Sequence, residues 1–367
     1  MAMGNIKTPV DSGAVSVLLR DLIAAGRFPV GHFLPPIRVL GKELDVSHET
    51  IRRAIKQLEA KRLIVAEPRQ GFRVVRRPSD PDRVVPAVYV MSSSSGGWQG
   101  IEQQLLVQLQ SVAPGNGFSL AGISVGARSV RDVAEQLRAA PASGVVLDSD
   151  DPALLAEVEK LGLPTVMVEY ASPGGTVDSV IQDGFGGGLQ AAEHLATRGH
   201  QRIGWVGPIG QSFQGLQRWG GAVAGLKRHG LELDPRMIID SNPQDDPVGQ
   251  IQEALAGPDR PTAVIALWRP EAIAAGRAAA RLGLVIGRDL DIVGWVAEEN
   301  YPEFVTAFPE GQVPAAVTWR LRSLAEAVMA RLAERRRRPN LPAMRMVVET
   351  RLRLGTGDEK ARDQGKS

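Results

Sequence analysis

Cysteine is absent from this 367-residue chain, which excludes disulfides, thiolate metal sites and cysteine nucleophiles. Histidine is sparse, and His194 and His200 stand without further candidate ligands, so no metal centre is expected. Lysine is nearly missing beyond residue 78, where only Lys160, Lys227, Lys360 and Lys366 occur. Two lie near the ends of helical patterns and two in a charged tail. None follows a strand, where a pyridoxal-phosphate enzyme would need its Schiff-base lysine. No apolar run approaches the roughly 20 residues of a membrane-spanning helix. The first 25 residues read as a tag-like polar lead and an amphipathic helix, not as a secretion signal. The expectation is a cytoplasmic protein without cofactor or catalysis.

Charge is nearly balanced overall, at a net +2, but it is unevenly placed. Residues 1–78 hold 14 Lys and Arg against 7 Asp and Glu, whereas residues 79–367 hold 29 against 34. A basic head on a mildly acidic body suits one nucleic-acid-binding module on a body that does not touch DNA.

Between residues 34 and 75 the pattern is that of a DNA-reading module. Ile51, Ala54, Ile55 and Leu58 recur at helical spacing, while Glu49, Arg52, Arg53 and Lys56 occupy the opposite face. Ser47 is placed to cap that helix. A shorter helix over 36–44 precedes it, with Pro36 in its first turn and Val39, Leu40 and Leu44 pointing inward. A tight Asp45-Val46 connection joins the two, which is the geometry that sets a helix in a major groove. Residues 63–66 and 72–75 then read as strands around the turn Pro68-Arg69-Gln70-Gly71. Arg69, Arg73, Arg76 and Arg77 on or beside that hairpin make it a wing.

Residues 77–83 are rich in proline and charge and lack periodicity, so a linker is placed at 78–84. It separates a DNA-binding domain at 1–77 from a body at 85–357, with a charged tail at 358–367. In the body, strands are expected at 87–91, 118–123, 144–147, 164–168, 179–181, 202–206, 262–267 and 291–295. Helices are expected at 101–112, 130–139, 154–161, 187–197, 216–229 and 272–282, and a long helical pattern runs from 314 to 338. The arginines at 335–338 suit a helix C-terminus. Alternation of strand and helix means a parallel α/β architecture, here two doubly wound lobes with a cleft at the carboxyl ends of their strands. Gly184-Phe185-Gly186-Gly187-Gly188 lacks the third glycine of a dinucleotide fingerprint. Those glycines are expected to let a helix pack closely on the sheet, with Asp183 capping it.

The head resembles the GntR-type winged helix. Phe28-Pro29-Val30-Gly31, Leu34-Pro35-Pro36-Ile37-Arg38, Val46-Ser47, Ile51-Arg52-Arg53-Ala54, Leu58 and Gly71 carry that resemblance. It departs at Pro36, Gly41 and His48, where the family usually has Ser, Ala and often Arg. The resemblance implies DNA contacts at Arg38, Ser47, His48, Glu49, Arg52 and Gly71. Arg53 joins them from the basic face.

The body resembles LacI-type effector domains over most of residues 85–355. The signals are Ala192-Glu193-His194-Leu195, Gly199-His200-Gln201-Arg202-Ile203, Gly207, Arg218 with Gly221, Pro261-Thr262-Ala263-Val264-Ile265, Ala274-Ala275-Gly276 and Asp291-Ile292-Val293-Gly294. The resemblance implies a periplasmic-binding-protein-like fold closing on a small molecule, with Arg218, opening a helix, as main polar anchor. Pro270-Glu271 replaces the family's Asn-Asp, and Trp295-Val296 replaces its Phe-Asp. Glu271 is therefore a candidate ligand residue, and Arg269 is another because it follows a strand. Trp98, Trp268 and Trp295 are candidate stacking platforms at strand ends. Glu169-Tyr170 also follows a strand, and Trp205 is assigned to the core.

The combination is similar to arabinose-repressor-type regulators. That implies a repressor, homodimeric on a palindromic operator and responsive to a sugar or sugar derivative. The alternatives are a DNA-binding protein with a ligand-free body and a GntR-type head fused to an enzyme.

Overall fold

A computed structural model describes residues 12–24, 26–61, 63–68, 70–75, 84–91, 100–126, 128–210, 212–239 and 247–356. Trp98, Arg69, Arg76, Arg77, most of the 78–84 linker and the 358–367 tail lie outside the described residues. The chain divides into two compact units, Met1–Val84 and Val85–Ser367.

The first unit holds α1 (Ser12–Ala24), α2 (Ile37–Leu44), α3 (His48–Ala60) and an antiparallel hairpin of β1 (Ile64–Glu67) and β2 (Gly71–Val74). Ile51, Ala54, Ile55 and Leu58 are buried against Val15, Leu19 and Ile23 of α1 and Val74 of the hairpin. Pro36 occupies the cap of α2 in extended geometry (φ −54°, ψ 143°), one residue outside the expected first turn. Leu40 and Leu44 face inward as expected, but Val39 is exposed. On an eight-residue helix with its buried face centred on Leu40, Gly41 and Leu44, the preceding residue turns about 100° away. Asp45 ends α2 in the left-handed region (φ 53°), and the Val46 amide closes the turn on the Gly41 carbonyl at 3.0 Å.

The second unit begins with β3 (Val85–Met91), α4 (Ile101–Val112), β4 (Phe118–Ser124), α5 (Val130–Ala139), β5 (Val145–Asp148), α6 (Pro152–Glu159), β6 (Thr165–Val168) and β7 (Asp178–Gln182). It continues with α7 (Gly184–Thr197), β8 (Ile203–Val206), α8 (Phe213–Arg228), β9 (Ile238–Ile239), α9 (Pro247–Leu255), β10 (Ala263–Ala266), α10 (Arg269–Arg281), β11 (Asp291–Ala297) and α11 (Tyr301–Thr306). The last elements are β12 (Ala315–Trp319), α12 (Leu321–Arg337), β13 (Arg345–Val348) and β14 (Arg351–Arg353).

Two six-stranded sheets result. One has the order β13-β7-β6-β5-β3-β4 and is parallel throughout. The other has the order β14-β12-β11-β10-β8-β9, with only β14 antiparallel. The chain passes between the two lobes after β7, after β12 and after β13. Hydrogen bonds tie the first and last of these crossings together: the Asp183 amide donates to the Val348 carbonyl at 2.8 Å, and the Thr350 hydroxyl to the Asp183 carbonyl at 3.1 Å.

The expected long helix over 314–338 is a strand followed by a helix. Ala315–Trp319 is wholly buried inside the sheet, and a short apolar run carries no periodicity to tell strand from helix. Arg335 does not simply neutralise a helix end. With Arg331 it grips the fully buried Asp178 carboxylate at 2.7–2.9 Å, fastening α12 to β7. The glycines of α7 pack on two surfaces. A Cβ at Gly187 would meet Trp295 and Val317 of the sheet, while one at Gly188 would strike the main chain of α8. Asp183 caps α7 by accepting from the Gly186 amide at 2.8 Å.

Candidate functional site

In the head, the N-terminus of α3 is organised by Ser47, whose hydroxyl accepts from the Thr50 amide at 3.1 Å. Arg38, Ser47, His48, Glu49, Arg52 and Arg53 are all exposed. Glu49 pairs with both Arg52 (3.4 Å) and Arg53 (3.2 Å), so the basic face carries an internal counter-charge. The His48 ring lies across Gly41: a Cβ there would be 3.0 Å from His48 Cδ2 and 3.1 Å from the Val46 carbonyl oxygen. Gly71 starts β2 at φ +113°, a conformation that needs glycine. Arg73 of the hairpin is paired with Glu67.

In the body, the polar side chains gather where the two lobes meet. Arg218 lies in the second turn of α8 rather than opening it, and it is 1% exposed. Its Nη1 donates to the Leu267 carbonyl at 2.6 Å and its Nη2 to Gln182 Oε1 at 3.1 Å. The guanidinium carbon stands 3.6 Å from the ring centroid of Trp268, 4.0 Å from that of Trp295 and 5.9 Å from that of Trp319. A cation over desolvated indole faces is stabilised by their quadrupoles, by about 2 kcal/mol in the best cases.

Gln182, the last residue of β7, joins the lobes. Its Oε1 accepts from Arg218 and from Trp295 Nε1 (2.6 Å), and its amide donates to Glu169 at 2.8 Å. Gln214 of α8 adds a bond to the Glu169 carbonyl at 2.8 Å. Glu169 itself has φ +64°, a left-handed conformation uncommon for a non-glycine residue. Part of the residue stays exposed, yet its carboxyl is enclosed, and burial lifts it to about 7 against the opposing pull of Gln182 and Arg218. Burial raises Glu271, in the first turn of α10, to about 7 as well. On the same side as Glu169, Tyr89 donates to the buried Asp148, whose carboxyl burial pushes well up.

Of the residues singled out in the body, Arg218, Glu271, Trp268 and Trp295 therefore share one neighbourhood. Arg269 pairs instead with the exposed Glu303 at 2.8 Å. Trp205 is fully buried, donates to the Gly207 carbonyl at 2.9 Å and meets Trp219 edge-on. Gln182, Gln214 and Trp319 belong to the cluster without having been marked in the sequence. Gln182 and Trp319 share one available signal: each is the last residue of a buried parallel strand, where such sheets place their sites.

The sequence also spells Gly122-Ile123-Ser124-Val125-Gly126, the spacing of a serine nucleophile turn. Here Ser124 ends an edge strand, and α5 begins only at Val130. His200, at the base of the other lobe, bonds Asp291 at 2.7 Å and Thr262 at 2.9 Å.

Comparison with known proteins places both units. Residues 12–74 match the family described as bacterial regulatory proteins, gntR family, and residues 192–356 match the periplasmic binding protein-like domain. The HTH-type transcriptional repressor PurR of Escherichia coli O139:H28 is 28% identical over 161 residues, which are 43% of this chain and 47% of that protein. The chain thus matches less than half the length of this curated relative. A LacI-family regulatory protein from Chloroflexus aggregans superposes with a TM-score of 0.65 at 20% identity, covering 74% of this chain and 98% of that one. The transcriptional regulator CelR in complex with cellobiose superposes with a TM-score of 0.64 at 21% identity, covering 87% of this chain and 94% of its own.

Proposed function

We propose that this chain, a gntR-family helix-turn-helix joined to a periplasmic-binding-protein-like α/β domain, is a DNA-binding transcriptional regulator controlled by a small molecule held between the two lobes of its body. The observation that carries this reading is the buried network running from Glu169 and Gln182 of one lobe to Arg218 and Trp295 of the other. A ligand that rearranged those bonds would change how the lobes meet, and such differential contacts are what allosteric coupling requires. The relative named as a repressor favours repression, and the CelR–cellobiose complex favours a sugar or sugar derivative. One winged helix reads few base pairs, so the reading includes a homodimer on a palindromic operator, working in the cytoplasm. It includes no enzymatic step.

The test starts by selecting an operator from random duplexes with the purified chain. Binding is then followed by fluorescence anisotropy while sugars and sugar derivatives are added. Arg52→Ala should weaken operator binding and leave effector binding intact. Arg218→Ala should abolish the effector response with the operator still bound. Loss of both properties in either variant would sink the two-module reading.

A further inference from the structure

One charged patch of the body belongs to neither its core nor its cleft. The strands of the first sheet are all parallel, so the segments that lead into them meet at one end of that sheet. Residues 113–117, 140–144, 160–164 and 338–344, which lead into β4, β5, β6 and β13, contain no Asp or Glu. The last turn of α12 ends among them with Arg335, Arg336, Arg337 and, as its cap, Arg338. Arg331 and Arg335 are neutralised by Asp178 and Glu334. That leaves Arg336, Arg337 and Arg338 without a carboxylate partner among the described residues. A helix C-terminus presents about half a negative charge, which three arginines exceed. Glu157 and Glu159 of α6 lie across the sheet, since α6 packs with α5 on a core separate from that of α12.

The patch is held in place from within. Arg335 donates to the carbonyl oxygens of Pro339, Leu341 and Pro342, and Arg331 also donates to that of Pro342, so the turn after α12 is fixed. The Arg336 guanidinium carbon lies 4.9 Å from the Phe118 ring centroid, and its Nη1 donates to the Gly117 carbonyl at 3.3 Å. The same carbonyl accepts from the Val85 amide at 3.2 Å, and Val85 is where the chain enters the body from the head. Ten positions separate Val85 from Val75 of the head, a tether of at most about 36 Å. It keeps the arginines at high effective concentration beside any duplex that the head grips. Arg337 and Arg338 are exposed and present forked donors of the kind that suit phosphate oxygens.

We infer that Arg336, Arg337 and Arg338 form a second DNA contact, through which the body itself grips backbone phosphates flanking the segment read by the winged helix. This deepens the DNA-binding half of the regulator reading and rests on it. It reverses the expectation, drawn from the net acidity of residues 79–367, of a body that stays clear of DNA. Phosphate contacts position a protein on a duplex and carry no base preference. Affinity should therefore rise with the length of duplex beyond the operator core, whatever the flanking sequence.

The full chain is titrated by fluorescence anisotropy against two duplexes carrying its selected operator. One is trimmed to the operator core; the other adds about 15 base pairs of arbitrary sequence on each side, roughly 50 Å of duplex. Arg337→Gln combined with Arg338→Gln should leave the melting temperature and the affinity for the short duplex unchanged. On the long duplex it should flatten the plot of log affinity against log salt by about 0.9 for each arginine that meets a phosphate, so by nearly two per chain. Between about 50 and 200 mM salt the wild type should therefore lose roughly tenfold more affinity than the variant. Arg277→Gln combined with Arg281→Gln removes the same charge from exposed positions of α10 and should keep the wild-type slope. Equal slopes for the wild type and the α12 variant on the long duplex would overturn the inference. So would equal flattening in the α10 control, or equal losses on both duplexes. Failure of the wild-type chain to bind any selected duplex would instead remove the regulator reading itself.

Discussion

Gly188 and Arg218 meet backbone to backbone: a Cβ at Gly188 would stand 2.2 Å from the Arg218 carbonyl oxygen. The glycines of α7 therefore set the position of α8, and with it the guanidinium between the indoles. A Cβ at Gly221 would make the reciprocal clash, 2.0 Å from the Phe185 carbonyl oxygen.

Gly188→Ala should destabilise the body by about 3 kcal/mol or more, since the obstacle is main chain and cannot rotate aside. Gly220→Ala is the control, because its Cβ would meet only Phe185 at 3.8 Å. It should be neutral or stabilising by up to about 1 kcal/mol through helix propensity. Urea denaturation followed by circular dichroism reads both, and equal losses would contradict the helix contact described here.

Glu271 supplies a pH prediction. Its carboxyl titrates near 4.5 when unfolded and about 7 when folded. Between those values the folded state holds the extra proton, so raising the pH weakens stability. The penalty is absent below about pH 4.5 and complete above about pH 7. Glu271→Gln should match the wild type at low pH and gain stability progressively toward pH 8, by at most about 3 kcal/mol. A constant difference across that window would remove the buried carboxyl as its cause.

In the head, His48 and Gly41 should be coupled. Gly41→Ala brings a methyl against the His48 ring and the Val46 carbonyl, and is expected to cost about 1 kcal/mol. His48→Ala should relieve part of that cost. Additive losses in the double variant would mean that the ring is not the obstacle.

Glu49 offers a charge test. Removing its carboxylate frees Arg52 and Arg53 from their 3.4 and 3.2 Å pairs. Glu49→Gln should bind non-specific duplexes more tightly, with a salt dependence steeper by about one phosphate contact. If Glu49 also reads a base, the selected operator should change at a single position in each half-site. Unchanged affinity, salt slope and operator would take it out of the interface.

Much of the fold was legible because its signals are local. The apolar face of α3, the cap at Ser47 and the eight anticipated strands of the body all come from spacing and composition within short windows. Two body helices, α9 and α11, were not anticipated, and the strands without a sequence signal were β9, β12, β13 and β14. Those strands are a two-residue strand, a buried run indistinguishable from a helix, and two short strands returning from the last crossings. The site was half legible. Arg218, Glu271, Trp268 and Trp295 could be named from family position and strand ends; Gln182 and Trp319 carried only the weaker signal of ending buried strands, and Gln214 carried none.

The sequence alone determines which stretches become helix or strand, that the head is basic, and that cysteine chemistry is excluded. It does so because propensity, periodicity and capping act over a few residues. Only the tertiary structure decides that Arg218 is buried against Trp268 and Trp295 and that Gln182 bonds partners 36 and 113 positions away. Those contacts arise when the three crossings fold two sheets toward each other, and no pattern within a short window encodes a distance across that gap.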